Sequence, residues 1–497
     1  MTVEHPMSAT DTVRKINARW VLSGELVLVT ACHLGGEATG LTDMVLLRDA
    51  REALPLLPGT TLAGALRGHL TDVLEGFRAD EPPAVAELFG GERGDDEGSQ
   101  SPLVVFDSFG QLPRGRLVEL RDGVALDARS GTVEDNKKYD LELLAPGTVF
   151  PLRLELAIPD RQREDVLLSQ LIAALDGLAS GHVSLGARRS RGLGAVTTRA
   201  WKARRFDGST ARGWIDWLTT DALVPMDTKA QTAATPRDAV ALALKRAGVK
   251  SALTAPADRR ALTTVEVTLS FPGALLVRSP APTADAPDVT QLASGGRPVL
   301  PGTSVAGALR TQASRILHSI AAREGVVGER ADACVDTLVS RVFGPRLAGD
   351  RDSRPEPRAS KLRVSECTLS ARRARVTRIR VDRFTQAVAS GALFDEEPVV
   401  GAQARLTVEL REPEEWQHGL LLLLLKDLLA GGIPLGGTVA VGRGVCSGRA
   451  ELHASGWPRA VTLTPEEAPP GDDRARVDAA IRAVGDEIRA RREGGVG

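Results

Sequence analysis

The chain has 497 residues, 42% hydrophobic and 26% charged, which is enough for two or three domains with cores of their own. The net charge of −1 excludes a global basic field of the kind that advertises a nucleic-acid partner, although charge is unevenly placed. Cys32, Cys334, Cys367 and Cys446 show no Cys-x-x-Cys spacing, which argues against a zinc site or a disulfide framework and points to a reduced cytoplasm.

Residues 1–12 read as a disordered tail without a signal-peptide core. Residues 13–202 form a first domain. Trp20–Thr30 alternates and is β-branched, so it predicts a strand. A loop follows, Ala31-Cys32-His33-Leu34-Gly35-Gly36, and then Gly40-Leu41-Thr42-Asp43. Leu56–Leu70 reads as a strand end, a Pro-Gly turn, a Thr cap and a small-residue helix running to about Leu74. The amides at that helix start, with Arg67 further along, suit a phosphate. Leu103–Phe109 is a strand containing Asp107. Pro113–Thr148 is an excursion rich in glycine and charge that includes Lys137-Lys138-Tyr139. Phe150–Ile158 is a strand and Glu164–Ala179 a helix. A glycine-rich turn, Val183–Gly194, carries Arg188, Arg189 and Arg191 into a last strand. Ser190–Gly194 is no dinucleotide loop, because it lacks the following helix and the acidic residue ~20 positions on.

Residues 203–260 read as a Pro/Ala/Thr-rich linker with one helix at Pro236–Ala247. Residues 261–456 then repeat the first domain. Leu300-Pro301-Gly302-Thr303 and Ala306-Gly307-Ala308-Leu309-Arg310 match Leu57–Thr60 and Ala63–Arg67, 243 residues earlier. Leu435-Gly436 and Gly442-Arg443-Gly444 match Leu185-Gly186 and Gly192-Leu193-Gly194 at an offset of 250. Arg351–Arg383 holds eleven Lys/Arg against four acids, and a second basic cluster spans Arg188 to Arg205; such clusters coat a solvated face or contact phosphates. Leu420–Leu425 is too short to span a bilayer and reads as a buried helix. Residues 457–497 are a tail ending in an amphipathic helix, with Val477, Ala480, Ile481, Val484 and Ile488 on a face meant for local packing or a partner. Each half thus reads β–helix–β–excursion–β–helix–β. That order predicts an α+β, ferredoxin-like domain with an antiparallel sheet and two helices on one face.

These motifs, in this order and twice over, resemble the RAMP superfamily of CRISPR-associated proteins. The matching pieces are His33-x-Gly35-Gly36, Gly40-x-x-Asp43, Leu-Pro-Gly-Thr-x-x-Ala-Gly-Ala-Leu-Arg, Asp382-Arg383 in the second excursion, and the glycine-rich turns. The first half departs at one point, with Asp127-Ala128 where an Asp-Arg is expected. Within the superfamily the chain is most similar to backbone subunits of type III effector complexes, and its two units to the fused backbone proteins of type III-D systems.

The resemblance implies two tandem ferredoxin-like (RRM-like) domains, each with an inserted β-hairpin thumb, at Pro113–Thr148 and Arg372–Val399. It implies guide RNA, target RNA and other effector subunits as partners, and no membrane. RNA contacts are expected from His33, Gly35, Gly36, Arg67, Lys137, Lys138, Arg188, Arg189, Arg191, Arg310, Arg378, Arg380 and Arg443. The family's target-cutting residue is an Asp between the His-x-Gly-Gly loop and the Pro-Gly motif. That is Asp43, 15 residues before Pro58. In the second unit Asp288 and Asp285 compete, 13 and 16 residues before Pro301, and spacing does not choose; Asp288 is the preferred counterpart. The resemblance also implies a divalent ion, Mg²⁺ or Mn²⁺; RNA carries its own nucleophile, the 2′-OH, so a single carboxylate suits such a reaction. Two rival readings are a guide-RNA scaffold that does not cut and a guide-processing nuclease using His33 as its acid–base.

Overall fold

The computed structural model describes residues 16–36, 42–77, 80–91, 100–114, 118–123, 139–220, 232–280, 286–346, 356, 358–467 and 469–493. The expected N-terminal tail, Gly40, Asp127-Ala128, Lys137, Lys138 and Asp285 lie outside these residues.

The first unit contains β1 (Ala18–Leu28), β2 (Leu56–Leu57), α1 (Gly59–Glu75), α2 (Pro83–Phe89), β3 (Leu103–Val105), β4 (Ser108–Phe109), β5 (Glu119–Gly123), β6 (Tyr139–Leu143), β7 (Val149–Ile158), α3 (Glu164–Ala179), β8 (Val196–Asp207), α4 (Ala211–Thr219) and α5 (Pro236–Ala247). Its main sheet has the order β3-β7-β1-β8, with every neighbour antiparallel. β1 alternates because one face is core: Trp20, Leu22, Leu26 and Leu28 are buried under α1 and α3. Trp20 Nε1 donates to Glu164 at 2.7 Å, and Arg205 grips the same buried carboxylate at 2.7 and 3.0 Å, which fastens the start of α3 to the sheet.

The second unit contains β9 (Leu262–Leu275), β10 (Arg278–Pro280), β11 (Val289–Gln291), β12 (Ala293–Ser294), β13 (Arg297–Leu300), α6 (Gly302–Arg323), α7 (Glu329–Phe343), β14 (Leu362–Val364), β15 (Cys367–Thr368), β16 (Ser370–Arg373), β17 (Val376–Val381), β18 (Val388–Glu397), β19 (Val399–Arg411), α8 (Glu415–Leu429), β20 (Ser447–Ala454), β21 (Val461–Leu463) and α9 (Gly471–Glu493). The sheet order β14-β19-β9-β20-β21 repeats that of the first unit with β21 added at one edge, and β16 also pairs with β19. α8 is apolar on nearly all sides because it is packed between the sheet, α6 and α9. Val477, Ala480, Val484 and Ile488 pack there, and Gly419 lies so close that a Cβ would fall 2.0 Å from the Ala480 carbonyl. The amphipathic stripe of the tail is therefore core of the second unit.

Two local expectations change. The helices α1 and α6 begin at Pro58 and Pro301 with no side-chain cap, so the expected Thr cap is not used. Asp107, on the far side of the sheet edge, accepts from the Gly59 amide at 2.7 Å instead. Gly59 is required by packing: a Cβ there would sit 2.1 Å from the Val105 carbonyl. Within 203–260, read as a linker, 203–207 complete β8, and α5 buries Ala239, Val240, Ala243 and Leu244 in the first core.

The units meet along a polar joint. Arg121 on β5 pairs with Glu366 at 2.5 Å, and Glu119 accepts from Ser294 Oγ at 2.9 Å and from the Gly295 amide at 2.6 Å. The first unit's glycine turn presses on the second unit, so that a Cβ on Gly192 would lie 2.1 Å from the Glu366 amide and one on Gly302 2.5 Å from the Arg191 carbonyl. Arg411 lies 3.8 Å from Asp72 and stacks over Phe77 at 4.6 Å.

Candidate functional site

The loop after β1 is threaded between β6 and the glycine turn. Cys32 exchanges backbone hydrogen bonds with Leu144, the Ala187 amide donates to the His33 carbonyl at 3.0 Å, and the Gly194 amide donates to Ala31 at 2.8 Å. Gly186 is a glycine because a Cβ would meet the His33 carbonyl at 2.1 Å. The chain then returns alongside β6 in parallel: the Met44 amide donates to the Asp140 carbonyl and the Glu142 amide to the Met44 carbonyl. This register fixes Asp43 one residue outside the pairing. Its Oδ2 accepts from the Asp140 amide at 3.0 Å, and the side chain stays exposed.

The second unit repeats this arrangement. β11 runs parallel to β18, Val289 pairs with Glu396, and Asp288 stands one residue outside the pairing. Asp288 Oδ2 accepts from the Asp395 amide at 3.0 Å and is likewise exposed. Asp288 therefore makes in the second unit the backbone hydrogen bond that Asp43 makes in the first.

The surroundings differ. Tyr139, the one tyrosine of the chain, precedes Asp140; Arg188 stacks over its ring at 4.3 Å and donates to its hydroxyl at 2.6 Å. Arg188 sits at φ 58° and its counterpart Thr438 at φ 57°, so the two turns share a backbone while the second lacks the cation. Arg375 stands there instead, paired with Asp395, whose carboxyl is held below the usual range by Thr377 and then Arg375. The Tyr139–Arg188 pair was not foreseen; the single tyrosine beside two lysines was the available signal.

The other expected RNA contacts divide. His33 is only 2% exposed and its Nδ1 lies 2.9 Å from the Glu142 carbonyl, so it is a core side chain. Gly35 and Gly36 are spent on closing the loop, with Gly36 donating to Val45. Arg67 is held by both oxygens of Glu81 at 2.6 Å. Arg378 and Arg443 both pair with the buried Glu396, at 3.1 and 2.8 Å. Arg189 and Arg380 are exposed. Arg310 donates to the Gly344 carbonyl at 2.9 Å but its buried Nε has no partner. Burial, and then the fields of Arg346 and Arg191, lower it to about 10. Arg191, Arg310 and Arg346 thus gather three cations at the joint, with Asp336 opposing them at Arg310. The expected phosphate seat at the helix starts is filled otherwise: Asp107 takes the Gly59 amide, and the first unit's turn covers Gly302.

Among the described residues no group of three or more His, Cys, Asp or Glu side chains could hold a metal ion. The donor set at each aspartate is one exposed carboxylate. It fits a hydrated divalent ion that takes its other ligands from water and phosphate, not a protein-built cage.

A family model for the RAMP superfamily matches residues 25–197 and 275–447, one match per unit and together more than half of the chain. The chain belongs to the RAMP superfamily. RAMP proteins work in CRISPR complexes with RNA and other subunits. Both RAMP matches begin inside the first strand of a unit and end just past its glycine turn, so they enclose Asp43, Asp288 and both hairpins. No curated protein matches the chain. Among the described residues no helix is long and apolar enough to cross a membrane.

Proposed function

We propose that this RAMP protein is a two-unit backbone subunit of a type III effector complex, of the type III-D kind, that holds guide RNA and cuts complementary target RNA in antiviral defence. The observation that carries the reading is the twin placement of Asp43 and Asp288 on the same backbone hydrogen bond in two units. Both sheet orders fit the ferredoxin-like pattern. The antiparallel hairpins β5–β6 and β17–β18 project from them as thumb candidates, the second carrying Phe384 at 80% exposure under Arg383. An exposed aromatic tip suits a wedge between bases.

Each aspartate acts at a splayed nucleotide. The Asp140 or Asp395 amide on the neighbouring strand holds one carboxylate oxygen, and the other accepts the 2′-OH proton or orients a hydrated Mg²⁺ or Mn²⁺. Such an ion would supply charge stabilisation at the scissile phosphate. The Arg191–Arg310–Arg346 group, Arg188 and Arg189 hold phosphates without reading bases. Four free cysteines accord with a cytoplasmic location.

The scaffold reading keeps one point in its favour: each aspartate also ties its loop to the neighbouring strand as a hydrogen-bond acceptor. Cleavage of end-labelled target RNA by the reconstituted complex, with and without chelator, decides. Metal-dependent products that vanish with Asp43→Asn select the enzyme. Unchanged products in both Asp43→Asn and Asp288→Asn select the scaffold. Guide processing through His33 is disfavoured by its burial.

A further inference from the structure

Asp43 and Asp288 share a backbone setting but not the interior beneath it. In the first unit the residue after Asp140 is Leu141, which pairs with Met44, and the centre of the glycine turn is Leu193. Both leucines are buried in one small apolar cluster with Ala31 and Leu143. In the second unit the residue after Asp395 is Glu396, which pairs with Val289, and the centre of the turn is Arg443. A leucine pair has become a carboxylate and a guanidinium. Glu396 Oε2 lies 2.8 Å from Arg443 Nη2, and the two side chains are 4% and 7% exposed. Arg378, on β17, reaches the same oxygen at 3.1 Å. Arg443 also donates to Thr438 Oγ1 at 3.3 Å, at the left-handed corner of the turn.

The exchange follows from how each hairpin is held. β5–β6 is fastened from outside, where Arg121 and Glu119 bind Glu366, Ser294 and Gly295 of the second unit. By register from Leu141 and Glu396, the places of Arg121 and Glu119 fall in the second hairpin to Val376 and Ala374, which carry no charge. β17–β18 is gripped from within instead, at Glu396. Burial makes that grip costly to lose, because either partner alone is a charge without water. The link to Asp288 is short. Glu396 pairs with Val289, the neighbour of Asp288, and the Asp395 amide just before it donates to Asp288 Oδ2 at 3.0 Å.

We infer that Arg443 and Glu396 are a positioning pair for Asp288: their ion pair seats the second glycine turn on β18 and so sets the strand amide that holds the Asp288 carboxylate. Arg443, expected from the sequence to hold RNA, is spent on this grip. The seat is independent of any reaction, and its effect on cutting rests on the proposed role of Asp288.

Amide hydrogen exchange on the full-length chain tests the seat. Glu396→Leu, which leaves Arg443 buried and alone, should speed exchange about tenfold or more in residues 288–291 and 393–397 and leave residues 139–143 at the wild-type rate. Arg443→Leu should do so less, because Arg378 stays beside Glu396. Glu396→Leu with Arg443→Leu transplants the first unit's leucine pair and should restore slow exchange, since a buried ion pair can give way to apolar side chains of similar size. Glu396→Gln removes the charge, keeps the shape and covers the case of a single leucine variant that does not fold; its rate should be intermediate. Single-turnover cleavage by the reconstituted complex reads the consequence. Products that Asp288→Asn abolishes should slow about tenfold in Glu396→Leu and recover in the double variant, with guide and target affinity unchanged. Exchange in the single variants equal to wild type, or not restored in the double variant, would overturn the seat. Restored exchange with products still slow would overturn the positioning of Asp288. A loss of guide affinity in Arg443→Leu that the double variant shares would also overturn it and make Arg443 an RNA contact. Unchanged products in Asp288→Asn would remove the reading of that aspartate, while the exchange result would still decide the seat.

Discussion

Arg121 and Glu366, one from each RAMP unit, form an ion pair at 2.5 Å with the Glu366 side chain almost wholly buried. Burial makes the two groups dependent on each other, since either one left alone is a charge without water. Arg121→Ala should cost roughly 3 kcal/mol in denaturant unfolding. Arg121→Ala with Glu366→Ala should recover part of that loss. Equal stability of the single and double variants would remove the pair from the joint.

For the aspartates, Asn is the informative substitution. It still offers an oxygen to the Asp140 or Asp395 amide, so the loop keeps its hydrogen bond. Asp43→Asn should lower cutting at the first unit's positions by about 10²-fold or more. Its effect on the melting midpoint should be that of a surface change, within about 0.5 kcal/mol. Asp288→Asn should remove a separate set of products. A loss of stability that accompanies the loss of cutting would return both residues to a structural role.

The glycines of α1 give opposite signs. Gly59→Ala drives a Cβ into the Val105 carbonyl and should destabilise by about 1–3 kcal/mol. Gly64→Ala meets nothing within 4 Å in a helix interior and should stabilise by up to about 1 kcal/mol. Thermal unfolding of the two variants measures both.

His69 sets a pH dependence. Burial first, then Arg260 and the stacked His182, lower it to about 3. An unfolded imidazole takes up its proton near 6.5, so between pH 6.5 and about 3 the unfolded chain binds more protons than the folded one. Stability should be full above 6.5 and fall as pH drops through that window. Asp258 nearby opposes the effect only in part. His69→Asn should flatten the slope of unfolding free energy against pH; an unchanged slope would assign the loss to other groups.

What the sequence disclosed was the repeat and the order of motifs, which the two RAMP matches follow. That Asp288 repeats the hydrogen bond of Asp43 was hidden, because the bond rests on an amide 107 residues away, not on loop length. The Thr cap was misjudged for the same reason, since Asp107 reaches Gly59 across a sheet edge. Arg67 looked free in sequence, yet Glu81 folds back onto it from beyond the helix. The α5 stripe of Ala239, Val240, Ala243 and Leu244 was visible, but which unit it faces was not.

The polar character of the internal joint has a thermodynamic meaning. A contact between parts of one chain forms at an effective concentration in the millimolar range, set by the tether and independent of how dilute the protein is. Such a contact tolerates buried charge, because the rotational and translational entropy of meeting is already spent in the covalent link. Arg121 and Glu366 can therefore stay charged and buried at the joint without the two units having to find each other in solution.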